Sequence, residues 1–371
     1  MSRIERLETA ILDIPTIRGH VLSMTTMMRQ SVVLVTLRFA DGSVGIGEGA
    51  TIGGLSYCAE SPESIKLALD AYIAPLLIGR DGDDVNGAIA AIEGSVRGNP
   101  IARCAAEIAL WDGLARRLGV SVATLFGGAL RTAMPVAWTL ASGDSAADIA
   151  EAERMIADRR HNIFKLKIGK RSVRDDLAHV AAIARAVGDR SSIRVDVNQA
   201  WSLTDARHGL PGLQDIGVDL VEQPTDARFP AALKSLTDGH AIAVMADEAL
   251  QGPEDALALA ADRSADVFAV QIGQSGGLKR AREVAAIAHA AGIGVYGGTM
   301  LEAGVSTAAA LQLFATVDSL GWGTELFGPL LLTDEILTTP IEYCDFSVRL
   351  PAGSGIGVTL DADKVAFYRR D

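Results

Sequence analysis

The 371-residue chain has few cysteines, few aromatic residues and no long apolar segment. Its three cysteines, Cys58, Cys104 and Cys344, are odd in number and far apart, which argues against a disulfide framework or a zinc site. No apolar run reaches the roughly 20 residues of a membrane-spanning helix, and the N-terminus lacks the charged-then-apolar pattern of a signal peptide. These absences predict a protein that resides in a reducing cytoplasm and has no membrane partner.

An excess of basic charge is also missing. The chain has 34 Lys and Arg residues against 46 Asp and Glu, a net charge of −12, and no dense basic segment. Nucleic acid is therefore not expected as a partner. Hydrophobic residues make up 49% of the chain, enough for a large core, and the length exceeds that of one typical domain. Because the net charge repels anions at long range, local cations or a metal ion would have to hold an acidic substrate.

Residues 1–128 are predicted to form a small α+β domain, because strand-like segments come first and helical segments follow. A hairpin is predicted over residues 31–48, and helices over 61–77, 83–97 and 100–118. Residues 16–26 are predicted to form a polar loop rich in methionine and small residues, and a second loop, residues 51–57, is flexible enough to form the edge of a lid.

From residue 134 onward, short apolar strand-like segments alternate with helical segments, which predicts a (β/α) TIM-type barrel over residues 129–340. A doubly wound open sheet would show the same alternation, but its dinucleotide-binding fingerprint is missing. Residues 204–217 fit a helix poorly, since two glycines and Pro211 interrupt the pattern. Residues 341–371 show no further repeat and are predicted to return to the first domain. The eight predicted strands are 134–140, 163–168, 193–198, 218–223, 243–248, 267–272, 294–298 and 323–326.

Two lysines, Lys165 and Lys167, lie on one face of the predicted strand 163–168, because side chains alternate along a strand. Neighbouring ammonium groups repel each other, which predicts a lowered pKa for both. A lysine with a lowered pKa is suited to proton transfer at neutral pH. Two solvated lysines on an exposed strand would give the same pattern.

Three acidic residues, Asp196, Glu222 and Asp247, end the third, fourth and fifth predicted strands and are 26 and 25 residues apart, about one βα unit each. Catalytic groups of a barrel lie at these strand ends, so the three carboxylates are expected to converge. Converging carboxylates need a cation, and hard oxygen ligands favour Mg²⁺ or Mn²⁺. Acidic residues also cap strand ends, but that explanation is weaker for three successive units. Asn198 shares a face with Asp196 and is expected to orient a ligand.

Together the lysines and carboxylates predict proton transfer at a carbon next to a substrate carboxylate, because a bound divalent ion acidifies that carbon. Lys167, nearer the strand end, is expected to move the proton. Lys165 is expected to lower the pKa of Lys167 and to bind a carboxylate oxygen. Thr139, on the first barrel strand, is expected to point into the site.

These residues are typical of a known family, and over nearly its whole length the chain resembles the muconate lactonizing subgroup of the enolase superfamily. The lysine pair and the carboxylates carry the resemblance to the superfamily, and the segments around them resemble muconate and chloromuconate cycloisomerases in particular. The segments that carry the resemblance are 15–18, 51–57, 138–143, 165–167, 196–198, 222–224, 247–248, 296–302 and 323–329.

The resemblance implies an enolase-like modified barrel capped by the N-terminal domain, which the C-terminal segment completes. It implies that cis,cis-muconate, or a related unsaturated dicarboxylate, is closed to its muconolactone through a metal-stabilised enolate, with Lys167 carrying the proton. Ile52 and Tyr57 would contact the substrate, and Glu325 would lie on the floor of the site. Large homo-oligomers, commonly octamers, are also implied.

One position departs from the family pattern: Gln271 ends the sixth predicted strand, where the family has a lysine. Glutamine forms hydrogen bonds but cannot carry a proton, so a racemase or epimerase, which needs groups on both faces, is disfavoured. Lactonization needs one proton on one face, which Lys167 alone can supply. Two alternatives stay open: another lyase of the superfamily, such as o-succinylbenzoate synthase or a dehydratase, or a catalytically silent paralogue that binds metal and an acid. Of the six histidines, His20 is the one candidate for a neighbour of the substrate, although a histidine without a ligand contact is the commoner case.

Overall fold

The computed structural model describes residues 2–23 and 25–370. The chain begins with a three-stranded antiparallel sheet in the order β1-β2-β3, made of β1 (Ile4–Val21), β2 (Thr26–Phe39) and β3 (Val44–Ala50). The predicted hairpin is confirmed. The predicted loop 16–26 is mostly strand, because a register shift between Pro15 and His20 lets pairing continue as far as Val21 and Thr26. Met24, in that loop, lies outside the described residues.

The helices of this domain agree with the predictions. Ser61 and Ser64 form a capping box and Pro62 is the first helical residue, as expected for a helix start. The helix widens into a π turn over Leu69–Ile73, immediately before Pro75, which has no N–H for the helical ladder. A fourth, longer helix packs on β3 so closely that a Cβ at Gly47 would overlap the carbonyl oxygen of Ala105. The helices are α1 (Pro62–Ala68), α2 (Ala74–Leu77), α3 (Val85–Ser95), α4 (Pro100–Leu118) and α5 (Val122–Leu125).

Seven parallel strands, in the order β11-β10-β9-β8-β7-β6-β5, form the wall of a barrel. Thr324 closes it, since this residue forms parallel bridges both to Val136, beside the first strand, and to Gly297, in the last. The predicted eighth strand is thus reduced to one bridging residue. The strands are β5 (Trp138–Leu140), β6 (Ile163–Lys167), β7 (Ser192–Asp196), β8 (Leu220–Glu222), β9 (Ala243–Ala246), β10 (Val267–Val270) and β11 (Gly294–Gly297).

Helices connect these strands, and one of them corrects a prediction. The segment described above as a poor helix forms a full helix, Leu203–Ile216, despite Pro211. Ser202 and Asp205 form a capping box at its start, Gly217 ends it with φ 88°, and the Gly209 backbone packs against the Trp201 ring. Tertiary packing therefore outweighs local propensity here. The barrel helices are α6 (Ser145–Ala157), α7 (Val173–Val187), α8 (Leu203–Ile216), α9 (Pro230–Gly239), α10 (Pro253–Asp262), α11 (Ile272–Ser275), α12 (Leu278–Ala291), α13 (Gly304–Phe314) and α14 (Gly328–Leu331).

The last segment of the chain contacts both parts of the molecule. A small sheet joins β12 (Tyr343–Cys344) and β13 (Ser347–Arg349) to β4 (Ala133–Pro135), so the first predicted barrel strand is divided between two sheets. After α15 (Ala362–Tyr368), the Arg370 amide donates to the Ile11 carbonyl oxygen of β1 at 2.8 Å. In residues 2–23 and 25–370, no helix combines the length and apolarity needed to cross a bilayer.

Buried polar contacts fix the N-terminal domain over the carboxyl ends of the barrel strands. The Glu48 carboxylate accepts hydrogen bonds from the backbone amides of Ala303, Val305 and Ser306 at 2.7–3.1 Å, at the start of α13. The Gln30 side chain donates to the carbonyl oxygen of Leu301 at 2.8 Å. Because these amides and carbonyls have few other partners, the contacts define one orientation of the two domains.

Candidate active site

A polar cavity lies where the N-terminal domain covers the barrel. The space between its side chains is small, about 10 Å³, which is room for about one water molecule. A ligand larger than a water molecule therefore requires side chains or cap segments to move apart. The lining residues are His20, Ile52, Tyr57, Lys165, Lys167, Asp196, Asn198, Glu222, Asp247, Thr299, Leu301 and Glu325.

Lys165, on β6, is at the centre of the charged cluster and only 2% exposed. Its Nζ lies 2.8 Å from Glu222 Oε2 and also contacts Glu325 Oε2. Burial lowers the pKa of Lys165, but the charges of these two carboxylates and of Asp196 raise it well above its usual value. The prediction that its pKa is lowered by the neighbouring lysine is therefore wrong: Lys165 is a fixed cation.

Lys167 lies on the same face of β6, two residues nearer the strand end, as the period of two predicts. Its Nζ is 2.5 Å from Asp196 Oδ2 and donates to Asn198 Oδ1 at 3.2 Å. Asn198, in turn, donates from Nδ2 to Glu248 Oε1 at 3.2 Å. Asn198 has a φ of 44°, in the left-handed region where asparagine is tolerated better than most residues. This conformation turns the side chain towards the lysine.

The three carboxylates predicted as metal ligands line the one cavity and interact with one another. Burial, and then the charge of Asp196, raise the pKa of Glu222 well above its usual value and that of Asp247 to about 6. Burial also acts to raise the pKa of Asp196, but Lys167 and Lys165 hold it below its usual value. Four carboxylates, these three and that of Glu325, line the cavity with two ammonium groups, and their mutual repulsion adds to burial in raising the pKa of Glu222.

Asp247 follows β9 directly and both of its oxygens are engaged. Tyr57, from the N-terminal domain, donates to Oδ2 at 2.8 Å, and the Gln271 amide donates to Oδ1. Gln223, with φ 32°, turns its side chain so that Oε1 accepts from the Asp247 backbone amide at 3.0 Å. Two donors therefore hold the Asp247 carboxylate, and Gln223 holds the backbone of the same residue.

Most of the predicted site residues come together in the structure. Nine of the eleven line the cavity, including Ile52, Tyr57 and Glu325. Thr139 and Gln271 lie behind it: Thr139 Oγ1 donates to Glu325 Oε1 at 2.8 Å, and Gln271 contacts Asp247. Both act through an acidic neighbour in this structure.

Two lining residues, Thr299 and Leu301, were not predicted. They follow β11 and lie in the segment 296–302, which carries the family resemblance but contains no predicted site residue. Leu301 has a φ of 58° and is held by the Gln30 contact, so its placement depends on a residue 271 positions away. No local pattern in the sequence indicates that contact.

The donor set suits a divalent metal ion. Asp196, Glu222 and Asp247 offer carboxylate oxygens, which Mg²⁺ and Mn²⁺ prefer, and an ion between them would relieve their mutual repulsion. Within the described part of the chain, no three Asp, Glu, His or Cys side chains already surround one ion-sized point. The ammonium groups of Lys165 and Lys167 lie against one oxygen of Glu222 and one of Asp196, so an ion would share these carboxylates with the two lysines.

Comparison with known proteins places the chain in a family. A model of the mandelate racemase / muconate lactonizing enzyme N-terminal domain matches residues 6–127, and one of the enolase C-terminal domain-like group matches residues 147–364. The chain therefore belongs to the mandelate racemase and muconate lactonizing enzyme family of the enolase superfamily, as predicted.

Individual relatives indicate the class of enzyme within this family. A muconate cycloisomerase of Acinetobacter lwoffii is 56% identical, over 100% of this chain and 96% of its own. A chloromuconate cycloisomerase of Cupriavidus necator is 48% identical over 99% of each. A crystal structure of the Pseudomonas fluorescens muconate lactonizing enzyme complexed with muconolactone shares 51% identity, with a TM-score of 0.98 over 100% of both chains. The predicted fold class is confirmed, and the chain is an enzyme of the cycloisomerase type.

Proposed function

We propose that the chain interconverts cis,cis-muconate, or a closely related unsaturated dicarboxylate, with its muconolactone. The single observation that carries the proposal is the cavity in which Lys167 faces the carboxylates of Asp196, Glu222 and Asp247. The full-length similarity to muconate and chloromuconate cycloisomerases supports the choice of substrate. Membership of the family supports dependence on a divalent metal ion, for which we propose Mg²⁺ or Mn²⁺.

Asp196, Glu222 and Asp247 would hold the ion. When bound, it supplies positive charge for a substrate carboxylate and for the negative charge that develops beside it. Tyr57 and Gln271 orient Asp247, and Asn198 orients Lys167. Groups that orient metal ligands in this way typically change metal affinity by ~10–100-fold when they are removed.

Lys167 would exchange the proton with the carbon next to the metal-held carboxylate. Among the described residues that line the cavity, Lys165 is the other amine, and its ion pairs with Glu222 and Glu325 keep it charged. Gln271 is not able to transfer a proton. Proton transfer would therefore take place on one face of the substrate, which suits lactonization and not racemization.

Loss of the conjugated ultraviolet absorbance of muconate tests the proposal. With Mg²⁺ or Mn²⁺ the absorbance should fall as muconolactone forms; EDTA should stop the reaction, and added metal should restore it. Lys167→Ala should lower kcat by at least ~10³-fold, consistent with loss of a proton carrier. Lys170→Ala, at an exposed lysine three residues away, is the matched control.

Absence of turnover of muconate and chloromuconates by the metal-loaded enzyme would overturn the substrate assignment. In that case, product from o-succinylbenzoate precursors or from hydroxy acids would indicate another lyase of the superfamily. Tight binding of acids without any product would indicate a silent paralogue. Full activity of the Lys167→Ala enzyme would show that another group carries the proton.

The cellular setting is a separate part of the proposal. The expected location in the cytoplasm and the expected homo-oligomer, up to an octamer, stay predictions. Light scattering of the purified protein measures the number of subunits directly.

A further inference from the structure

His20 is a polar residue of the cavity to which the proposed reaction gives no role. His20 lies near the end of β1, in register with Met27, and its side chain is fully buried. Both ring nitrogens, Nδ1 and Nε2, lack a hydrogen-bond partner within the described chain. A buried polar group without a partner is destabilising, so its presence in a native protein calls for a function or a bound partner.

The surroundings of His20 keep the imidazole neutral. Burial lowers its pKa well below the usual value, and the nearby charges of Lys167, Arg18 and Lys165 lower it further. A neutral imidazole has one N–H donor and one acceptor nitrogen. The ring lines the same cavity as Lys167 but comes from the N-terminal domain, whereas Lys167 and the carboxylates come from the barrel. His20 therefore meets a ligand from the cap side.

The proposed substrate needs a donor on that side. A dicarboxylate held by one carboxylate at the metal site has a second carboxylate, which must be oriented because it closes the lactone ring. Gln271 donates to Asp247, and Arg18 is paired with Glu151 at 3.1 Å, so neither amide nor guanidinium is free for it. Among the described residues lining the cavity from the N-terminal domain, Ile52 is apolar and Tyr57 donates to Asp247.

We infer that His20 is a substrate-binding residue whose ring N–H donates to the carboxylate farther from the metal site, and that it selects dicarboxylates over monocarboxylates. This inference rests on the proposed function for the position of the first carboxylate. His20 would position the attacking carboxylate without exchanging a proton.

Calorimetric binding of adipate and hexanoate to the Mg²⁺-loaded full chain tests the inference. The two ligands have the same number of carbons and differ by one carboxylate. Wild type should bind adipate at least ~10-fold more tightly, as expected for a hydrogen bond to a charged group. His20→Leu and His20→Phe should lose most of that preference, while hexanoate affinity stays within about twofold. His20→Gln, which keeps an N–H donor, should recover most of the preference.

Equal losses for adipate and hexanoate in the leucine and phenylalanine variants would show that His20 only supports the fold, and no loss would show that it does not touch the ligand. Either result overturns the inference. If neither variant folds, wild type and His20→Gln still test the inference. A wild-type preference for adipate below about threefold overturns the inference, and a clear preference that His20→Gln retains supports it. The experiment measures binding and not turnover. An enzyme that prefers adipate through His20 but does not convert muconate would therefore contradict the proposed function and leave the inference about His20 intact.

Discussion

The side-chain amide of Gln271 donates a hydrogen bond to Oδ1 of Asp247, the same carboxylate that accepts from Tyr57 through Oδ2. The resemblance leads one to expect a lysine at this position, and Gln271 instead contacts a proposed metal ligand. The residue orients a carboxylate and supplies no charge. The consequences for metal binding and for the course of proton transfer can be separated experimentally.

Gln271→Leu should weaken metal binding, because Asp247 loses one of the donors that orient it. We expect the Mg²⁺ dissociation constant, measured by calorimetry, to rise by ~10-fold or more. Gln214→Leu, at an exposed glutamine on α8, is the control and should leave metal affinity unchanged. Equal affinity in wild type and Gln271→Leu would mean that the contact with Asp247 does not matter once the metal is bound.

Gln271→Lys should add a second amine at the sixth strand end. In D₂O, wild type should place one deuterium stereospecifically on the methylene carbon of muconolactone, since Lys167 acts from one face. The variant should exchange both hydrogens of that carbon, which NMR spectroscopy of the product detects. Exchange of both hydrogens by wild type itself would contradict the assignment of a single proton carrier.

The raised pKa of Asp247, about 6 against an ordinary 3.8, predicts a pH dependence of the metal-free protein. Between these values the folded state holds a proton that the unfolded state has released. Stability from this group is therefore complete below about pH 3.8 and is lost as the pH rises through 6. Between pH 4 and 6.5, the free energy of unfolding of wild type should fall more steeply with pH than that of Asp247→Asn, by up to about 1 kcal/mol per pH unit. Unfolding with urea in the presence of EDTA measures both slopes. Identical pH slopes in the two proteins would contradict this pKa.

The affinity for Mg²⁺ should rise with pH, whereas the stability that Asp247 contributes to the metal-free protein falls. Protonated Asp247 is a poor ligand, so the Mg²⁺ dissociation constant should rise as the pH falls below 6. The same calorimetric measurement at pH 5 and pH 7.5 checks this. An affinity that does not depend on pH would indicate that Asp247 is not a ligand.

Glu48→Ala should destabilise the contact between the two domains. The substitution leaves the amides of Ala303, Val305 and Ser306 at the start of α13 without their acceptor. We expect a loss of about 1–3 kcal/mol in the free energy of unfolding, measured with urea. Glu5→Ala, at an exposed glutamate, should change it by less than about 0.5 kcal/mol. A variant as stable as wild type would show that water replaces the carboxylate without cost.

Sequence patterns predicted the parts of this molecule that depend on neighbouring residues. The alternation around Lys165 and Lys167 defined a strand, and the spacing of Asp196, Glu222 and Asp247 indicated successive barrel units. The prediction for the pKa of Lys165 is wrong, because it considers only the lysine two residues away. Nothing local in the sequence indicates that Glu222 and Glu325, 57 and 160 residues away, lie next to Lys165 in the fold.

The errors in secondary structure have the same origin. Glycine and proline between residues 209 and 212 oppose a helix locally, but packing on Trp201 and two good end caps outweigh them. The apolar segment at Thr324 was predicted as a strand of ordinary length, although its pairing depends on two strand ends far away along the chain. Contacts between residues that are far apart along the chain form only when the barrel is assembled, so local sequence patterns do not predict them.

The single-residue junction at Thr324 has a mechanical consequence. Elsewhere around the ring, adjacent strands share two or more ladder pairs, whereas here Thr324 forms both bridges. Backbone hydrogen bonds of Gly323 and Glu325 to Gly297 complete the junction, and Glu325 is also the partner of Lys165. The residue that completes the ring is thus the chain neighbour of the one that pairs with Lys165. A change in pairing at Thr324 would therefore shift Glu325 and the salt bridge that anchors the charged cluster.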